Sequence, residues 1–192
     1  MHLLKEDSFF EVLARYPACC VDYFLLRDEE PYQGEPSHRK AVLCAMAHAC
    51  DPEEEPWKTE PEKAAAEQIS AADLLAFPDE PWKHDRHGTV FYDNVYEDGK
   101  IPYWYAFLEP PYGTGAVVRH GRIVRNAYGR EDFEAVNTAL FPRGTERLTV
   151  YRWSTDWSSY FDDGHEWWGA ACWSIYDPDM DRYAVVLVSA TD

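Results

Sequence analysis

The chain has 192 residues, with 35 acidic against 18 basic side chains for a net charge of −17, and aromatic residues make up 16% of it. At this length folding removes roughly 70% of the unfolded chain's surface, so a core needs no metal or disulfide staple. So aromatic a chain is not the low-hydrophobicity type that stays disordered, and so acidic a chain lacks the positive charge that a backbone-tracking nucleic-acid binder needs for counterion release.

No apolar run approaches the roughly 20 residues of a membrane helix. The stretch from Met1 to Asp7 lacks the charged-then-apolar layout of a signal peptide. Five cysteines, an odd number without an export signal, fit reduced thiols and a cytoplasmic location.

The first half reads as helical. Ser8 caps a helix in which Phe9, Val12, Leu13 and Tyr16 share a face, with Glu11 completing a capping box and Pro17 ending it. Cys19 to Leu26 is apolar and open between helix and strand, and Glu29 to Pro36 is a loop. Ser37 then caps a helix over His38 to Cys50, and the alanine-rich stretch from Pro61 to Phe77, capped by Thr59, predicts a third.

From Gly88 the pattern becomes β. Thr89 to Tyr96 and Ile101 to Leu108 read as strands joined by a turn at 97–100. Ala116 to Arg119 and Arg122 to Arg125 read as a hairpin about His120-Gly121. Glu131 to Leu140 is a short helix stopped by Pro142, and Leu148 to Trp153 is a strand. Trp168 to Tyr176 and Tyr183 to Ala190 form a last hairpin around residues 177–181. The expected fold is a single α+β domain over 1–192. About three helices in a mainly helical part (1–87) pack on an antiparallel sheet of roughly six to seven strands (88–192), with one short helix inserted.

Charge is uneven along this layout. Residues 51–100 carry 14 acids against 5 bases and residues 151–192 carry 8 against 2, whereas residues 101–150 are slightly basic. Most chemistry-bearing motifs are missing. No phosphate-binding glycine loop, nucleophile elbow or His-Glu-x-x-His occurs. Asp177, Asp179 and Asp181 have calcium-loop spacing, but Arg182 stands where the glycine belongs, which leaves a hairpin turn. Cys44 with His48, and His84 with His87, lack the convergent pairs of a zinc site, so no metal or cofactor is expected.

The densest chemistry lies in the 13-residue connection from Ser154 to Glu166 and the indoles that follow it. Five of the eight tryptophans fall between 153 and 173. A connection this long between strands is often functional. Its candidate binding residues are Asp156, Trp157, Tyr160, Asp162, Asp163, His165, Glu166, Trp167 and Trp168. Its tryptophans either cap an open end of the sheet, or form a recognition patch of indoles beside carboxylates. A third alternative is general acid–base chemistry by His165 with Asp163 or Glu166, Asp163 being the more natural partner on an extended segment. Arg119 and Arg122 would face each other across their hairpin, a repulsive pair unless acids elsewhere in the chain or a bound anion lie between them.

The composition and size, though no motif, resemble those of small acidic bacterial immunity proteins that neutralise toxins. The expected function is accordingly a non-enzymatic protein-binding module engaging a basic partner, with neither nucleic acid nor membrane involved. The alternative is a small enzyme or ligand-binding protein with an aromatic and acidic pocket built from the 154–168 segment.

Overall fold

The computed structural model describes residues 1–17, 19, 21–50, 55–79, 83–84, 90–91, 100–108, 117–119, 122–125, 128–166 and 169–189. Its strands are β1 (His2–Leu3), β2 (Asp22–Arg27), β3 (Ala66–Ile69), β4 (Lys83–His84), β5 (Val90–Phe91), β6 (Val117–Arg119), β7 (Arg122–Arg125), β8 (Thr149–Trp153), β9 (Ala170–Asp177) and β10 (Arg182–Ser189). Its helices are α1 (Phe9–Leu13), α2 (Glu35–His48), α3 (Ala71–Leu75), α4 (Tyr103–Leu108), α5 (Arg130–Leu140) and α6 (Asp162–Glu166). Six strands form one antiparallel sheet in the order β1-β2-β10-β9-β8-β3, so the fold is α+β. Among the described residues no helix is long and apolar enough to cross a membrane.

The β9–β10 hairpin holds the centre of the sheet, with Arg182 opposite Asp177 and Ser189 opposite Ala170. Positions 182–188 are all buried, because the sheet is covered on both faces. On one face Val150, Trp173, Ile175 and Val186 pack with Phe9 of α1, the apolar residues of α4, and Phe133, Val136 and Leu140 of α5. On the other, Trp153, Cys172, Val185 and Leu187 pack with Ala41, Val42, Ala45 and Met46 of α2. A strand buried on both sides reads as a continuous apolar run, and Tyr183 to Val188 is such a run.

The sheet also departs from the expected division of the chain, because β1, β2 and β3 all come from the half read as helical. The ambiguous stretch Cys19 to Leu26 resolves into β2. The predicted helix from Pro61 to Phe77 is instead a 3₁₀ turn (Pro61–Lys63), the edge strand β3 and the short α3. Alanine, Glu and Gln favour a helix by only a few tenths of a kcal/mol per residue over most alternatives, and strand pairing outweighs that. Here Ala66 to Ile69 pairs with Val150 to Trp153 of β8. Ser70 then caps α3, its Oγ accepting from the Asp73 N–H at 2.9 Å.

Ile101 to Leu108, predicted as a strand, contains α4. Its Tyr103, Tyr105, Ala106, Phe107 and Leu108 are all buried. A short run that is apolar all round has no period to separate strand from helix. Tyr103 meets Phe133 and Trp173 with ring centroids 5.0 and 5.6 Å apart, and its hydroxyl lies 2.6 Å from that of Tyr23.

The helix starts also differ in detail. Ser8 has helical backbone angles and does not cap α1. Asp7 does so, its Oδ1 accepting from Phe9 N–H at 3.0 Å. α2 begins at Glu35, ahead of the expected His38, after Gly34 with φ +74°. Ser37 Oγ accepts from Gln33 N–H, bracing that entry. The strand expected over Thr89 to Tyr96 is represented by β5, which pairs with β4, and residues 92–99 lie outside the described residues. β6 and β7 pair with Arg119 opposite Arg122. Helix 131–140, strand 148–153 and the last hairpin lie where the sequence places them, to within two residues. In that hairpin turn Asp177 Oδ1 accepts from the N–H groups of Asp179 and Met180.

Candidate functional site

The connection after β8 is built rather than loose. Residues 58–65 run alongside 154–159 and extend the β3–β8 ladder. Ser154 N–H donates to Ala65 O at 2.8 Å, Glu60 N–H to Trp157 O at 2.7 Å and Ser159 N–H to Lys58 O at 2.9 Å. Arg39 of α2 clamps the inner strip, donating to Glu35 Oε1, Pro61 O and Ala64 O at 2.8–2.9 Å while its guanidinium covers the Trp153 ring.

This arrangement puts Trp157 and Tyr160 in the core, where the recognition patch would have them as exposed anchors. Trp157 is 1% exposed, donates Nε1–H to Ser154 O at 2.7 Å and meets Phe161 edge-on. Tyr160 is 9% exposed and donates its hydroxyl to Asp22 Oδ2 at 2.6 Å. The burial follows from the local fold. A 3₁₀ turn at Ser159–Phe161 and then α6 turn these rings down onto β10 and α2. Both rings are thus part of the core cluster against α2. Asp156, Asp162, Asp163 and His165 are exposed, while Trp167, Trp168 and the Glu166 side chain lie outside the described residues.

His165 does not pair with Asp163. Residues 162–166 are helical rather than extended, and positions two apart on a helix point away from each other. His165 Nε2 instead lies 2.7 Å from Thr155 Oγ1, which joins the two ends of the connection. Among the described residues no three His, Cys, Asp or Glu side chains gather as a metal site, and Cys44 and the buried Cys172 are free thiols.

Gly164 fixes the connection to the sheet. Its N–H donates to Ser189 Oγ at 3.0 Å, and its carbonyl accepts from Gly169 N–H at 2.8 Å. A Cβ at 164 would stand 2.6 Å from Gly169 O, a backbone atom that cannot swing aside. Gly164→Ala is therefore expected to lower stability by about 2 kcal/mol, in the range of overpacked core substitutions. Urea unfolding followed by Trp fluorescence measures it, and an unchanged midpoint would show that the connection is not held this way.

A cleft of about 460 Å³ opens where β3, β8 and β9 meet the foot of the connection. Its apolar wall is built from Ala65, Ala66, Ile101, Trp153 and Ala171, and its polar residues are Glu67, Lys100, Arg152, Ser154, Thr155 and Asp156. Lys100 Nζ donates to Glu67 Oε2 at 2.9 Å across the opening. Arg152 sits directly opposite Glu67 in the β3–β8 register, yet its Nε is buried without an acceptor. Outside the cleft, the Glu60 carboxylate hydrogen-bonded to Lys63, with Glu62 and Asp156 nearby, holds that ammonium above its usual range.

Of the sequence candidates among the described residues, only Asp156 lines this cleft, and His165 reaches its rim through Thr155. Arg152, Glu67 and Lys100 were not singled out. A lone arginine inside the strand Leu148 to Trp153, otherwise apolar, aromatic or hydroxylic, was the available signal. Compared with known proteins, the chain matches no family model, no curated protein and no solved structure.

Proposed function

We propose that this protein is a non-enzymatic binding module that engages a basic protein partner through the acidic margin formed by residues 60–67 and 154–163. One observation carries the proposal: Glu60, Glu62, Glu67, Asp156, Asp162 and Asp163 are all exposed along two segments that zip together, with Lys63 and Lys100 as the counter-charges already paired among them. Such a margin steers a cationic partner and accelerates its arrival, by roughly 10–10³-fold at low salt. With Trp157 and Tyr160 committed to the core, recognition here rests on charge and less on aromatic anchors, so binding should be strongly salt-sensitive.

The test is a stopped-flow association series against a panel of basic nuclease domains at rising ionic strength, with inhibition of the nuclease as a second readout. Association with one member should slow steeply with salt. It should also slow at least about tenfold in the combined Glu60→Lys, Glu62→Lys, Asp156→Lys variant. A panel that gives neither inhibition nor salt-sensitive binding would sink the proposal. The cleft beneath the margin favours a second reading, a ligand-binding protein with its pocket at the sheet end.

A further inference from the structure

We infer that the cleft between β3, β8 and β9 is a binding site for a small monocarboxylate with an apolar body, and that Arg152 is the residue that receives the carboxylate. The inference rests on the ligand-binding reading and adds the chemical class of the ligand.

In a chain with almost two acids for every base, an arginine is expected to be paired several times over. Among the described residues Arg152 makes no ion pair, and its Nε is buried with no acceptor. The carboxylate best placed to neutralise it, Glu67 directly across the strand pair, is held by Lys100 instead. On the other side of Arg152 in the sheet is Trp173, fully buried, whose indole Nε1 also lacks an acceptor. Two adjacent buried donors without acceptors are unusual, because leaving such a group unsatisfied costs about 1–3 kcal/mol. The Glu67 and Asp156 carboxylates also line the cleft, yet neither reaches these two donors, and Arg152 is the one of the two that lines the cleft.

The guanidinium fork suits a planar carboxylate, which can accept two parallel N–H bonds. The rest of the wall sets the other half of the ligand. Ala65, Ile101 and Ala171 are apolar and mostly small, leaving room for a short hydrocarbon or ring beside the charged end. Ser154 Oγ is already occupied, accepting from Ala65 N–H and donating to Lys63 O. Thr155, bonded to His165, stands at the rim where a second polar group of the ligand would emerge.

The probes are butyrate, its neutral isostere butyramide, and inorganic phosphate, titrated into the full chain while the backbone amides of Ser154, Thr155 and Ala171 are followed by NMR. Butyrate is expected to shift these amides in a saturable way, and butyramide and phosphate to bind at least about tenfold more weakly. Arg152→Gln should abolish the butyrate response and Ala65→Phe, at an exposed position on the cleft wall, should block it. Should Arg152→Gln not fold, the butyrate–butyramide comparison and Ala65→Phe decide the matter alone. Butyramide binding as tightly as butyrate, blocked by Ala65→Phe, would overturn the carboxylate assignment and leave the ligand-binding reading intact. Phosphate binding as tightly as butyrate would overturn the apolar half of the assignment. If none of the probes moves these amides, or Ala65→Phe leaves the butyrate response unchanged, the cleft is not a carboxylate site. The first of those results would count against the ligand-binding reading as well.

Discussion

Arg182→Ala is expected to cost about 3–5 kcal/mol of stability, the range for removing one partner of a buried charge pair. Arg182 is 2% exposed at the start of β10, ion-paired to Asp7, and donates Nη2–H to Leu140 O at 2.6 Å. One guanidinium thus joins the central hairpin, the segment before α1 and the C-terminal turn of α5. Asp7 cannot be replaced without a second loss, because its other oxygen caps α1. Asp7→Ala should therefore also be severe, and the double variant Asp7→Ala, Arg182→Ala should cost clearly less than the two single changes added together. Urea unfolding of the four proteins measures the cycle. Strict additivity, or an Arg182→Ala loss below about 1 kcal/mol, would mean the pair is not coupled as the geometry implies.

The second large effect is a dependence on pH. His38 of α2 is fully buried against the sheet, its Nδ1 2.9 Å from Ser174 Oγ and its Nε2 3.1 Å from Tyr32 Oη. Trp153 Nε1–H donates to the same Ser174 oxygen at 2.8 Å. Ser174, already an acceptor there, can donate its single hydrogen to His38 Nδ1. In that order the imidazole is neutral, with its proton on Nε2 facing Tyr32. Removal from water pulls the His38 pKa down from 6.5 to about 4.

The unfolded chain therefore binds more protons than the folded one between these two values, and stability rises with pH across that window. His38's contribution is complete above pH 6.5 and falls away as the pH drops toward 4, a loss of about 3 kcal/mol at 1.36 kcal/mol per unit. His38→Gln should lower stability at neutral pH by about 2–3 kcal/mol, since Ser174 and Tyr32 lose a fitted partner. It should also flatten the slope of stability between pH 6.5 and 4. An equally steep slope in the variant would assign the acid sensitivity to other groups.

Much of the fold was legible because some elements carry their own signals. The β9–β10 run is β-branched and aromatic on both sides of an aspartate-rich turn, and α5 repeats its apolar residues at Phe133, Val136 and Leu140 before Pro142. The misread elements are those decided at a distance. Residues 66–69 are helix formers made into a strand by β8, and 103–108 have no period for the sequence to reveal. In the candidate site, composition located the acidic connection but could not say which way its rings face. Trp157 and Tyr160 turn inward because a 3₁₀ turn and α6 follow β8, and an aspartate- and serine-rich segment does not announce that geometry. Arg152 escaped notice because an unpaired cation is visible only once its neighbours have chosen other partners.

The place of β10 in the sheet has a consequence for how the molecule assembles. It is the last described strand in the chain, yet it lies between β9 and β2, and on the β2 side Arg27 donates to the carbonyl of Asp181, 154 positions later. The β9–β10 hairpin closes locally, whereas β2, paired with β1 on one side, cannot find its β10 neighbour on the other until the far end of the chain is present. Pairings so remote make folding slow. During synthesis the β10-facing edge of β2 must wait uncovered, open to wrong partners. The hairpin is thus the template on which the earlier-made strands are collected, and changes that slow its closure should lower the yield of folded protein before they alter the stability of the finished molecule.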